Sequence, residues 1–121
     1  MAHALIVLCP LGLAAEADRA ERARTTGDDA QLADARSVGL ALLQEARAAA
    51  SGVGDFGALA QVATLKASLA MAEAEWTRLE GRSDPEAWQA AVEAFSYGAV
   101  YQEACCRWRL AEALLGTGQR D

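Results

Sequence analysis

Side chains that carry out chemistry are scarce in this sequence of 121 residues. It has one histidine, His3, and three cysteines, Cys9, Cys105 and Cys106. A zinc site is not expected, because zinc is held by sets of several histidine and cysteine ligands. The single histidine also leaves every serine and cysteine without a partner base. We therefore expect no enzyme, no metal site and no cofactor.

The cysteines also indicate the cellular compartment in which the protein is found. An odd number with an adjacent pair does not form a disulfide framework, and it fits a reducing environment in which buried cysteine acts as a small apolar residue. On a helix, the side chains of Cys105 and Cys106 diverge, so they cannot chelate as a CxxC pair does. The sequence therefore predicts a cytoplasmic protein.

Proline and aromatic residues are few as well. Pro10 and Pro85 are the only two prolines, and aromatic residues make up 6% of a chain that is 53% hydrophobic and rich in alanine. Such a composition favours helices, which proline would otherwise interrupt. The net charge of −6 argues against direct nucleic-acid binding, which needs a basic surface. Acidic and basic residues alternate over 16–24, which predicts a solvated helix face with pairs such as Asp18 and Arg22.

An apolar run opens the chain. Residues 4–15 have the length of the apolar part of a secretory signal, but no lysine or arginine precedes them. The run is too short to span a membrane. Two interpretations stay open. Either residues 1–11 are an apolar segment of the domain, helical or disordered, or a signal is cleaved near Ala15.

Hydrophobic periodicity predicts five helices and no strand, and therefore an all-α domain of antiparallel helical hairpins over 1–121. The helices are expected at about 10–24, 30–50, 58–80, 85–97 and 100–115. The third is the most regular, and one side of it carries Val62, Leu65, Leu69, Ala72, Trp76 and Leu79. An aspartate of the 25–29 turn should cap the second helix. Asp84 should cap the fourth, with Pro85 at its first position.

Residues 52–57 match the GxGxxG pattern of dinucleotide-binding loops. That pattern works only between a strand and a helix, where backbone amides can hold a pyrophosphate. Here a helical segment precedes it. We interpret the glycines as turn residues between two helices.

The fourth and fifth helices carry a spaced pattern of large and small residues. Trp88, Ala91, Val92 and Phe95 are followed by Ala104, Trp108 and Ala111. This spacing resembles one copy of the tetratricopeptide repeat. The resemblance implies that Trp88, Phe95 and Trp108 fill the seam of the hairpin, where Ala104 and Ala111 let the helices approach. Trp108 is therefore expected to be buried.

A wider resemblance covers residues 12–118. The segments 12–24, 72–85 with Trp88, 97–104 and 107–115 are similar to the helical region between the ATPase and DNA-binding parts of large actinobacterial LuxR-type regulators. This implies a tetratricopeptide-like array with an interaction or sensory role in transcription regulation. The chain has no GxxxxGK[ST] loop and no basic recognition helix, and Val100 replaces the proline usual before Tyr101. The resemblance therefore implies neither ATP hydrolysis nor DNA binding for this chain.

The resemblance implies a piece or a short relative of such a regulator. The alternative is a free-standing helical adaptor or a secreted helical protein. The expected partner is a protein or peptide, with self-association included, because a repeat array without its neighbours leaves an apolar patch on its first or last helix. The candidate contact residues share one side of the fourth helix, and a solvated face without a partner competes with this interpretation. They are Glu86, Gln89, Glu93 and Ser96.

Overall fold

The computed structural model describes the backbone of residues 2–51 and 59–117 and the side chains of residues 8–51 and 62–117. These residues form five α-helices. They are α1 (Ala2–Thr26), α2 (Asp29–Ser51), α3 (Leu59–Leu79), α4 (Pro85–Ala94) and α5 (Val100–Gly116). These residues contain no strand. The prediction of an all-α chain with five helices is confirmed. The glycine-rich loop at 52–57 lies outside the described residues.

Helix α1 begins earlier than the sequence predicted. It was expected to start at Pro10, because proline lacks the N–H that an interior helical position uses. Instead the helix runs from Ala2 through Pro10 to Thr26. Cys9, Pro10 and Leu13 are all buried, and packing of this turn outweighs the local preference of proline. Of the two conformations left open for the N-terminal segment, the helix is the one observed over residues 2–11.

Aspartates cap α2 and α4. Asp28 Oδ1 accepts a hydrogen bond of 3.1 Å from the Gln31 amide, just before α2. Asp84 Oδ1 accepts one of 3.0 Å from the Glu86 amide, and Pro85 occupies the first turn of α4. Both caps satisfy an amide that has no partner inside its own helix, which confirms the prediction.

Helix α4 is shorter than predicted. It ends at Ala94 rather than near Tyr97, and residues 95–98 form the turn into α5. Gly98 has φ +122°, a backbone conformation that residues other than glycine rarely adopt. The turn therefore reverses the chain within a few residues and sets α5 beside α4.

The first of two apolar cores joins α1, α2 and α3. The regular side of α3 contributes Leu65, Ala72 and Leu79, which are buried against Leu13 of α1, while Leu69 and Trp76 are half-buried at its edge. On α2, Gly39 faces α3 so closely that a Cβ built on it would lie 2.5 Å from Leu79 Cδ1. The predicted apolar side of α3 is confirmed at these five positions, and its sixth residue, Val62, is half-buried.

The second core joins the other side of α3 to α4 and α5. Trp88 is fully buried and Phe95 is 4% exposed, and they pack with Val92 of α4 and Cys106 of α5. The prediction for Trp108 is wrong, because its side chain is 57% exposed. Helix α5 is rotated so that Cys106 and Ala113 face the core, and this turns Ala104, Trp108 and Ala111 outward. The packing expected inside a single tetratricopeptide hairpin is therefore absent.

Candidate functional site

A buried arginine sits where α1 and α3 meet. The Arg78 side chain is 4% exposed and makes four polar contacts. Its Nε donates to Glu75 Oε1 at 2.8 Å, and its Nη1 donates to Asp18 Oδ1 at 2.9 Å and Glu21 Oε1 at 2.8 Å. Its Nη2 donates to the Ala14 carbonyl at 3.1 Å. One guanidinium thus holds α1 against α3, because its donors match the carboxylate and carbonyl oxygens in direction.

The charges of this arginine cluster are unevenly solvated. Burial raises the pKa of the Glu75 carboxyl, and the attraction of Arg78 only partly opposes this effect. Burial acts to lower the pKa of Arg78, but Glu75, Asp18 and Glu21 outweigh it and raise that pKa above its usual value. Asp18 and Glu21 are half-exposed, so water shares in their solvation. The expectation that 16–24 is only a solvated face is wrong for these two residues, and Asp18 pairs with Arg78 rather than Arg22.

A groove lies between α5 and the pair formed by α1 and α3. Its volume is about 370 Å³. On α3 it is lined by Thr64, Ser68, Met71 and Glu75, which recur every three or four residues and so share one side of the helix. The remaining lining residues come from α1, from the turn after α4 and from α5: Pro10, Leu11, Ala14, Phe95, Tyr97, Tyr101, Gln102, Cys105, Trp108 and Arg109. Helix α5 makes its most extensive contacts with α4, which leaves this space open beside α3.

The groove has an aromatic part and a charged part. The Phe95 and Tyr97 ring centroids are 6.4 Å apart, and the Tyr97 hydroxyl lies 3.3 Å from Thr64 Oγ1. Arg109 lies over Trp108, with its guanidinium carbon 4.3 Å from the ring centroid. Arg109 Nη1 also donates to Glu112 Oε1 at 2.8 Å. Such a cavity, mostly apolar with a few charged groups, has the form of a site for a small molecule.

The thiols around the groove differ in reactivity. Burial raises the pKa of the Cys106 thiol to about 12, with smaller contributions from Cys105 and Glu75. Burial likewise raises the pKa of Cys9. The thiolate is the nucleophilic form, so burial makes these two thiols less reactive than an exposed cysteine. Cys105 is half-buried and lines the groove, and it is the thiol that reagents can reach from there.

Two neighbouring carboxylates of α3 point to different sides of that helix. Glu73 receives two hydrogen bonds from Arg47, at 2.6 and 2.7 Å, on the exposed side of α3, whereas Glu75 faces the groove. Glu103 pairs with Arg107 at 2.7 Å along α5. Glu73, Glu75 and Glu103 are each held by an arginine in an ion pair.

Of the predicted contact residues, Glu86, Gln89 and Glu93 lie on α4, whereas Ser96 lies in the turn that follows it, because the helix ends earlier than expected. Glu86, Gln89, Glu93 and Ser96 are all exposed. Gln89 Nε2 donates to Glu93 Oε1 at 3.2 Å, and the Ser96 hydroxyl donates to the Glu93 carbonyl at 2.7 Å. This α4 row lies away from the groove. That a partner binds it stays a prediction.

Sequence reasoning missed both the arginine cluster and the groove. A signal was present for the cluster, because α3 carries apolar residues on two sides and its polar residues Glu75 and Arg78 therefore lie between two packed faces. The sequence carried no signal for the groove, because the width of the groove depends on which side of α5 packs against α4.

Within the described ranges, no group of three or more histidine, cysteine, aspartate or glutamate residues is placed to hold a metal ion. No helix there is long and apolar enough to cross a membrane. Comparison of the chain with protein-family models, with curated proteins and with solved structures finds no match.

Proposed function

We propose that this chain is a non-catalytic helical-repeat module that binds a protein partner in transcription regulation. It would be a part or a short relative of a LuxR-type regulator and would act in the cytoplasm without contacting nucleic acid itself. The resemblance over residues 12–118 supports the family. The observation that carries the interaction role is a row of exposed apolar residues on α5.

This α5 stripe consists of Tyr101, Ala104, Trp108, Ala111 and Leu115, all of which are exposed. Their spacing alternates between three and four residues, as on the apolar seam of a helix that packs against another helix. Large residues alternate with alanines, which allow a second helix to approach closely between them. Because exposed rows of large apolar side chains mark contact surfaces, the stripe fits a helical partner.

The stripe also bears on the tetratricopeptide resemblance. Ala104, Trp108 and Ala111 are the signature residues expected on the second helix of such a repeat. They point away from Trp88 and Phe95, so the packing of this hairpin counts against the repeat resemblance. An apolar patch on the last described helix is what the sequence predicted for a repeat array without its neighbour. The exposed α4 row of Glu86, Gln89, Glu93 and Ser96 remains a second candidate surface for a basic or amide-rich segment.

The alternative of a secreted protein has less support. Cleavage near Ala15 would remove Cys9 and Leu13, which are both buried in the first core. Loss of a buried leucine alone costs about 2–5 kcal/mol. Cys9, Pro10 and Leu13 of the apolar N-terminal run are therefore better explained as a packed part of α1.

Self-association provides the direct test of the stripe. We expect the chain to associate in sedimentation velocity experiments, and we expect the triple variant Tyr101→Ser, Trp108→Ser, Leu115→Ser to weaken that association at least about tenfold, a free-energy change of about 1.4 kcal/mol. Far-UV circular dichroism should be unchanged, because the three side chains are exposed. The matched control is Val38→Ser with Leu40→Ser, which removes exposed apolar residues from α2 instead. If the triple variant and the Val38→Ser, Leu40→Ser control self-associate equally strongly, the proposal is contradicted.

The regulatory role needs its own measurement. A transcriptional reporter would be fused to the promoters nearest the coding sequence, in cells that lack the chain. We expect the unmodified chain to restore regulation and the triple variant to fail. If the reporter responds to neither, the role in transcription is wrong even when the stripe mediates association.

A further inference from the structure

Aromatic side chains are concentrated around the groove between α5 and the α1–α3 pair. The sequence has seven aromatic residues, and four of them, Phe95, Tyr97, Tyr101 and Trp108, line this groove. Tyr97, Tyr101 and Trp108 are 50%, 77% and 57% exposed, so they bury little of their rings in the core. Flat apolar side chains of this size are therefore available to a molecule bound in the groove.

One nearly buried side chain of the groove has a polar atom without a partner. Ser68 lines the groove from α3 and is 4% exposed, and its hydroxyl makes no hydrogen bond to any described residue. Every fully buried side-chain oxygen and nitrogen of the described residues is hydrogen-bonded, so the Ser68 oxygen must be reached from the groove. A hydroxyl can both donate and accept a hydrogen bond. The groove thus offers one uncharged hydrogen-bonding group to a molecule that enters it.

The charged side chains of the groove already have partners. Among the described lining residues, only Glu75 and Arg109 carry charge. Glu75 is 2% exposed and accepts a hydrogen bond of 2.8 Å from Arg78 Nε, and Arg109 Nη1 donates to Glu112 Oε1 at 2.8 Å. The Arg109 guanidinium also lies over the ring of Trp108, at 4.3 Å. An ion that entered the groove would lose hydration without gaining a free counter-charge, so the groove favours an uncharged occupant.

The size and the walls of the groove suit a small ring system. At about 370 Å³ the groove falls in the range of small-molecule sites, which have mostly apolar walls and a small number of polar groups. Pro10, Leu11 and Met71 add aliphatic surface to the aromatic side chains. A fused aromatic ring with one polar substituent fits this distribution of groups.

We propose that the groove binds an uncharged aromatic small molecule that carries one hydrogen-bonding group. That group pairs with the Ser68 hydroxyl, and the ring lies among Phe95, Tyr101 and Trp108. This inference goes beyond the proposed function, since it requires no protein partner. Preferential binding of an ion is an outcome that the test separates.

Three probes that share a naphthalene ring and differ in charge test the proposal: 2-naphthalenemethanol, 2-naphthalenemethylamine and 2-naphthoate. Their affinities for the full chain are measured by calorimetric titration at neutral pH, where the amine is a cation and the acid is an anion. We expect the alcohol to bind at least about tenfold more tightly than either ion, because only the ions lose the hydration of a charge. If either ion binds as tightly as the alcohol, the proposal is wrong.

Removal of a single oxygen atom tests the hydrogen bond. Ser68→Ala should keep the fold, since alanine favours a helix. It should lower the affinity for 2-naphthalenemethanol about fivefold, as expected for the loss of one hydrogen bond, and leave the affinity for naphthalene unchanged. The matched control is Ser37→Ala, the same substitution at an exposed position of α2 outside the groove. If Ser68→Ala binds the alcohol as tightly as Ser37→Ala does, the proposal is overturned.

Chemical protection tests whether the ligand lies in the groove. Cys105 is half-buried and lines the groove, so 2-naphthalenemethanol should slow its alkylation by iodoacetamide. Unchanged alkylation of Cys105 at saturating alcohol would place the ligand elsewhere and refute the groove assignment.

A variant of the α5 stripe separates this proposal from the proposed function. Leu115 lies on the stripe but does not line the groove, so Leu115→Ser should weaken self-association and leave the affinity for the alcohol unchanged. Ser68→Ala should have the reverse effects, because Ser68 lies on α3 and is nearly buried. If Leu115→Ser weakens binding of the alcohol as much as Ser68→Ala does, the ligand lies on the stripe and the groove proposal is wrong.

Discussion

Replacement of Arg78 by methionine should lower the free energy of unfolding by about 3–5 kcal/mol, as expected when one partner of a buried ion pair is removed. Methionine retains most of the volume of the arginine stem. The loss therefore comes from the charge of Glu75, which is 2% exposed and would have no guanidinium beside it. Urea denaturation followed by circular dichroism measures the difference.

The matched control is Arg47→Met. Arg47 also binds a glutamate of α3 through two hydrogen bonds, but both side chains of that pair are exposed. Because solvent screens such pairs, we expect a loss below about 1 kcal/mol. If Arg78→Met and Arg47→Met lower the free energy of unfolding by similar amounts, burial of Arg78 does not add to the stabilising effect of its ion pairs. Adding Glu75→Gln to Arg78→Met should recover part of the lost stability, since the uncompensated charge is then gone.

The penalty of Arg78→Met should also depend on pH. In the variant the folded-state pKa of Glu75 rises further above its usual value, because the attraction of Arg78 no longer opposes the effect of burial. A carboxyl with a raised pKa binds protons more readily in the folded than in the unfolded state, so stability falls as pH rises through that pKa. The penalty should therefore be larger at neutral pH than near the unfolded pKa of the carboxyl.

Replacement of Trp88 by alanine should cost about 3–5 kcal/mol, because it empties the largest fully buried site of the described residues. The Trp88 Nε1–H also donates to the Ser83 hydroxyl at 2.9 Å, and this bond would be lost. Thermal and urea denaturation measure the change.

Trp108→Ala is the comparison that decides how the hairpin packs. With 57% of its side chain exposed, Trp108 should contribute less than about 1 kcal/mol to folding. A loss as large as that of Trp88→Ala would mean that α5 turns Trp108 toward the core, as the repeat signature implied. A small loss agrees with the observed rotation of α5.

Local patterns were enough to predict most of the helices. The apolar side of α3 and the caps at Asp28 and Asp84 depend on residues a few positions apart, so spacing alone identifies them. The start of α1 was misplaced because the cost of Pro10 inside a helix is local, whereas the burial that offsets it comes from other helices.

The groove and the exposure of Trp108 could not be predicted for a different reason. On α5, small apolar residues occur on both sides, with Ala104 and Ala111 on one and Cys106 and Ala113 on the other. Either side could face α4, and the side chosen depends on how α3, α4 and α5 fit together. The positions of the candidate site residues depend on that choice.

The position of helix α3 between two cores affects how the domain unfolds. Its opposite sides complete two separate cores, with Leu65, Ala72 and Leu79 in one and Ala67 and Ala74 in the other. Helices α4 and α5 pack on each other and on α3, mainly through α4, so we expect them to detach as one cooperative unit while α1, α2 and α3 stay folded. Amide hydrogens of α4 and α5 would then exchange at a lower opening free energy than those of α3, and the groove between α5 and the α1–α3 pair would open and close with that subglobal equilibrium.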